Sequence, residues 1–74
     1  MVAITSGYDV RVREVRERVG LSQEALARQC GVSRQAIVNI ERGESQPRVL
    51  LAMAIGAALG VAIGEIFIRG VAKP

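Results

Sequence analysis

Apolar residues recur at helical spacing along most of the chain, and small polar residues cut that pattern into five segments. In VRVREVRERV, Val12, Val15 and Val19 stand three and four apart with arginines and glutamates between them, which predicts a first helix from an N-cap at Asp9 to about Gly20. In GLSQEALARQCG, Ser22 can accept a backbone N–H, Ala25, Leu26 and Cys30 supply apolar positions, and Gly31 suits a left-handed turn. A second helix is expected over about Gln23 to Cys30. VSRQAIVNIERGE repeats the grammar, with Ser33 as cap, Ile37 and Ile40 facing inward and Gly43 closing the helix. Two helices of about two turns joined through Gly31 and Val32 make a helix-turn-helix. ESQP then carries turn residues, Pro47 can occupy the first turn of a fourth helix running to about Leu59, and a short fifth helix fits residues 62–68.

The stretch RVLLAMAIGAALGVAIGEIFIR, residues 48–69, admits two readings. Sixteen consecutive uncharged residues lie between Arg48 and Glu65, and Gly56, Gly60 and Gly64 stand four apart, the small-residue spacing of associating membrane helices. A spanning helix of about twenty residues would place Glu65 in the apolar zone at a cost of about 2.5–3.5 kcal/mol. If Gly60 ends a helix, neither piece is long enough to span. The expected fold is therefore all-α, five helices in a domain over residues 9–68, with residues 1–8 as an N-terminal arm and 69–74 as a C-terminal tail.

Composition narrows the chemistry. The chain has 74 residues, so it is one domain at most and is expected to bury only about 60% of the surface it exposes when unfolded. Tyr8 and Phe67 are the sole aromatics, which makes the core aliphatic. Nine of the ten basic residues are arginines and the net charge is +3, a balance suited to an acidic partner such as nucleic acid. One cysteine, Cys30, excludes an internal disulfide and reads as a small core residue in a reducing compartment. MVAITSGYD lacks the basic run and apolar stretch of an export signal, so a cytoplasmic protein is expected. With no histidine, no zinc spacing and no phosphate-cradling glycine loop, the chain offers no catalytic arrangement, and no cofactor or metal is expected.

GLSQEALARQCGVSRQAIVNIERGESQP together with ALGVAIGEIF resembles the lambda-repressor-like, Cro-type helix-turn-helix regulators of the xenobiotic-response-element class. The resemblance covers about residues 10–68. It implies a five-helix domain that binds double-stranded DNA as a homodimer, with helix three, about residues 33–41, in the major groove. By that resemblance Ser33, Arg34, Gln35, Val38 and Asn39 face the bases; Val38 either meets a thymine methyl or lies at the groove edge. Arginine can bind guanine O6 and N7, and glutamine or asparagine adenine N6 and N7. Gln23, Arg42 and Arg48 match phosphate-contacting positions of relatives, and Arg16 with Glu41 match a structural ion pair. Arg13 with Glu17 and Glu14 with Arg18 have the spacing of solvated helix pairs.

The chain departs from the family in carrying Leu50, Ala54, Ala57 and Ala62 where relatives usually have polar residues. An apolar patch of that kind marks an interface. The expected dimer seam comprises Leu50, Ala54, Ala57, Val61 and Ile66. Two further readings remain at this stage: an antitoxin or restriction-controller-like protein with a protein partner on this face, and a small membrane-associated protein anchored by residues 49–68.

Overall fold

The computed structural model describes residues 8–69. Five helices follow one another as α1 (Val12–Val19), α2 (Gln23–Cys30), α3 (Arg34–Glu41), α4 (Val49–Leu59) and α5 (Ile63–Ile66). A short antiparallel ribbon joins the ends of the described chain: β1 (Tyr8–Val10) pairs with β2 (Phe67–Arg69), Val10 opposite Phe67 and Tyr8 opposite Arg69.

The helix limits follow from caps. Ser22 Oγ accepts from Ala25 N–H at 2.9 Å and Ser33 Oγ from Ala36 N–H at 3.1 Å, each satisfying a donor that a helix start leaves unpaired. Gly31, at φ +70°, lets Val32 N–H return to the Ala27 carbonyl at 3.0 Å, and Gly60, at φ +73°, does the same for Val61 and the Gly56 carbonyl at 2.9 Å. Only glycine takes that left-handed conformation without steric cost.

Between these caps the inward residues meet in one aliphatic core. Val12 and Val15 of α1, Leu26 and Ala27 of α2, Ile37 and Ile40 of α3, Ile55 and Leu59 of α4, and Ile66 of α5 are all buried. Ala27 is buried in this core, where α2 packs against both α3 and α4.

Several expectations are corrected. Asp9 is not the cap of α1: it sits in β1, and its carboxylate accepts from Arg11 Nε at 3.0 Å. The helix starts at Val12 because Arg11 N–H is drawn to the Ile66 carbonyl at 2.8 Å, which ties the ribbon to α5. Val19, in the last turn of α1, is 48% exposed because the core ends one turn earlier. Helix four begins at Val49, since Arg48 keeps an extended backbone at ψ 162°. Helix five stops at Ile66, where Phe67 turns extended to join β2. Ile66 is fully buried and takes no part in a surface seam. Among the described residues no helix is long and apolar enough to cross a membrane.

Gly56 marks a close approach of backbone to backbone. A Cβ there would stand 2.9 Å from the Val61 carbonyl oxygen, a backbone atom next to the turn that closes α4. Replacing a helical glycine by alanine gains about 1 kcal/mol of propensity, whereas overpacking against fixed backbone costs about 1–3 kcal/mol. Gly56→Ala is therefore expected to destabilise by about 1 kcal/mol, read as a lower urea midpoint at unchanged slope. A raised midpoint would mean that the turn gives way.

Candidate nucleic-acid interface

The exposed side of the helix-turn-helix carries the polar residues that the sequence singles out. Ser33, the cap of α3, and Arg34 and Gln35 in its first turn are exposed, and Val38 and Asn39 follow, half-buried, on the next. Two of these are already organised: Gln35 Nε2 donates to Asn39 Oδ1 at 2.9 Å. That bond leaves the Gln35 oxygen as an acceptor and the Asn39 amide protons as donors, which is what an adenine edge requires.

Beneath this face lies a buried ion pair. Arg16 is 8% exposed; its Nε donates to Glu41 Oε2 at 2.7 Å, its Nη2 to Oε1 at 3.3 Å and its Nη1 to the Leu21 carbonyl at 2.9 Å. The pair joins α1 to the end of α3, and the carbonyl just past the Gly20 turn takes the third nitrogen of the guanidinium. Gln23 extends the network outward. Its Nε2 donates to Glu41 Oε1 at 3.0 Å, while its Oε1 accepts from Arg34 Nε and Nη2 at 3.4 and 3.3 Å. Sequence spacing shows no link between Gln23 and either partner.

The arginines divide by partner. Asp9 neutralises Arg11 and Glu17 neutralises Arg13, at 3.0 and 3.2 Å; the hydrogen bond to Asp9 also pushes the Arg11 guanidinium pKa up. Arg18 and Arg28 occupy the last turns of α1 and α2, where a cation complements the carbonyl end of the helix dipole. Among the described residues Arg34, Arg42 and Arg48 form no salt bridge. Arg34 and Arg42 line one shallow groove with Gln23 and Val38, and Arg48 stands exposed at the start of α4. Arg34 and Arg42, at the two ends of α3, thus bring positive charge without a salt bridge among the described residues beside Gln23 at the N-terminus of α2, an arrangement suited to phosphate. Burial pushes the Cys30 thiol up, which disfavours the reactive thiolate.

A second face is apolar. Val49 and Leu50 are 72% and 79% exposed, Met53 and Ala57 are exposed along the same side of α4, and Ala54 is half-buried among them. Val61 is half-buried and packs on the core. Ala62 and Ile63 are exposed beyond the turn.

The helix-turn-helix family matches residues 12–66. An uncharacterized HTH-type transcriptional regulator of Methanothermobacter thermautotrophicus is 47% identical over 58 residues, 77% of this chain and 84% of that protein. YgzD of Bacillus subtilis, also named an uncharacterized HTH-type transcriptional regulator, is 40% identical over 77% of this chain and 86% of its own. Among solved structures, the restriction-modification controller protein C.AhdI of Aeromonas hydrophila superposes with a TM-score of 0.71 at 32% identity, covering 84% of this chain and 91% of that one. Five helices around one core, serine-capped helices flanking Gly31, an exposed polar face on α3 and these likenesses agree: the chain belongs to the helix-turn-helix family of lambda-repressor-like, DNA-binding transcriptional regulators.

Proposed function

We propose that this regulator is a cytoplasmic homodimer that binds one sequence of double-stranded DNA, with α3 of each copy in the major groove. Ser33, Arg34, Gln35, Val38 and Asn39 face the bases in this reading, and Gln23, Arg42 and Arg48 hold phosphates. The observation that supports it is the α3 face itself: Arg34 and Gln35, side chains able to bond guanine and adenine edges, are exposed on one helix, and Arg34 and Arg42 form no salt bridge among the described residues. The dimer rests on the exposed side of α4 formed by Leu50, Ala54 and Ala57, with Val61 at its edge. Its twofold axis relates two half-sites about one helical turn, roughly 34 Å, apart.

Selection of bound sites from a random double-stranded pool tests the reading and should yield a twofold-symmetric sequence. An unenriched pool would overturn it. On the selected site, Arg34→Ala is expected to lose about 1–3 kcal/mol and to relax preference at one base pair per half-site. Equal loss on every sequence would remove Arg34 from the base readers. Arg48→Ala should weaken specific and nonspecific DNA alike and lower the steepness of the salt dependence by about one unit for each copy bound, as one phosphate contact is lost. An unchanged slope would place Arg48 off the backbone.

The likeness to a restriction-modification controller protein favours a second reading, in which the DNA-binding face is the same and the gene set controlled is a restriction-modification system. An antitoxin-like protein partner on the α4 face belongs to this reading too. Co-purification of a stable hetero-complex in place of the homodimer would favour that partner.

A further inference from the structure

We infer that Val38 is a receptor for a pyrimidine C5 methyl group, the group that thymine and 5-methylcytosine share, at the base pair beside the one that Arg34 reads; the inference rests on the reading that puts α3 in the major groove. Val38 lies one turn after Arg34 and one turn before Arg42, and all three line one groove. Every other side chain lining that groove is charged or an amide. Val38 is half-buried, yet it is not among the apolar residues that pack on the core, where Ile37 and Ile40 already anchor α3. A β-branched side chain also lowers helix propensity. Folding therefore gives no reason for a valine at this position.

The surroundings select what Val38 can meet. In the major groove guanine presents acceptors, cytosine a donor, adenine one of each, and thymine an acceptor beside its C5 methyl. Arginine and amide groups can between them bond every one of these except the methyl. Val38 can bond none of the polar groups, so a polar edge pressed against it would lose its water without replacement, whereas a methyl would leave water at a gain. Residues one helical turn apart have Cβ atoms about 5–6 Å from each other, and successive bases rise by about 3.4 Å. One turn of α3 thus reaches two neighbouring base pairs, with the arginine on one and the valine on the next.

Replacing each thymine of the selected site in turn by deoxyuridine tests this, because the change removes the methyl and keeps every hydrogen-bonding group. The expected result is one sensitive position per half-site, next to the base pair that Arg34→Ala relaxes. The loss there should be roughly fourfold, and roughly fifteenfold when both half-sites are changed, as for one and two buried methyl groups. In Val38→Ala the ratio of thymine to deoxyuridine affinity should fall toward one. Val38→Thr, which keeps the shape and puts a hydroxyl in place of one methyl, should lower it too. Each ratio compares two DNAs on one protein, so it does not depend on how much of a variant is folded. Cytosine and 5-methylcytosine are then compared at the same position: a preference for the methylated base makes the regulator a sensor of cytosine methylation as well, and equal binding assigns the ligand to thymine alone. A selected site with no thymine beside that base pair, or deoxyuridine that costs nothing there, would overturn the inference. So would a cost that persists unchanged in both Val38 variants, since the methyl would then act through DNA shape or another side chain. An unenriched pool would instead overturn the DNA reading beneath it, and if Arg34→Ala relaxes no base pair, the Val38-dependent ratio still decides the methyl contact.

Discussion

Glu41→Ala should bring the protein to the edge of unfolding at room temperature. The change strands the Arg16 guanidinium, 8% exposed, with the Leu21 carbonyl as its remaining partner. Removing one member of a buried pair costs about 3–5 kcal/mol, because an uncompensated charge stays in a poorly solvated site. A domain of this size has total stability on the order of 5 kcal/mol, so the loss is comparable to the whole. The pair itself contributes little net stability, since desolvation offsets most of its attraction. Arg16→Met with Glu41→Leu is accordingly expected to melt within about 1–2 kcal/mol of the native chain. Urea titration followed by circular dichroism separates the cases. A stable Glu41→Ala variant would show that water reaches Arg16.

Leu50→Glu is expected to abolish the proposed dimer while leaving the monomer folded. Leu50 is 79% exposed in the single chain, so a charge there costs the monomer nothing. In a twofold seam each leucine buries once, and full burial of such a side chain is worth about 1.5–3 kcal/mol. Losing two copies weakens association by about 3–6 kcal/mol, a factor of roughly a hundred to ten thousand. Operator binding falls with it, because two half-sites are no longer held by one particle. Ala57→Glu should act in the same direction. Light scattering reads the mass and circular dichroism the fold; a native protein that is monomeric, or glutamate variants that stay dimeric, would sink the seam.

What the sequence made legible was local. Ser22 and Ser33 cap the helices they precede, and α2 runs from Gln23 to Cys30 as its own residues predict. Ile37 and Ile40 lie inward because three-residue spacing on a helix has one meaning. The ribbon is not legible in the sequence because three-residue strands carry no periodicity, and their pairing joins opposite ends of the described chain. Ile66 was misplaced because spacing carries a face only while the helix continues, and Gly60 turns the chain at φ +73°. In α4 every residue is apolar or glycine, so no pattern marks which side packs; the surrounding helices select Ala52, Ile55, Gly56 and Leu59. At the interface the residue types on α3 were readable. The Gln23 bridge between Glu41 and Arg34 was not, because it depends on how α2 and α3 pack in space.

The pairing of Tyr8 with Arg69 bears on how the chain may be cut and rejoined. Opposed residues of an antiparallel pair lie about 5 Å apart, so a linker of a few residues would close the described fold into a ring. New ends could then be opened between Glu44 and Gln46, an exposed loop separating α3 from α4. Such a permuted protein would keep the whole core and the α3 face while starting with α4. By the same geometry, a domain fused before β1 and another fused after β2 would leave the fold side by side.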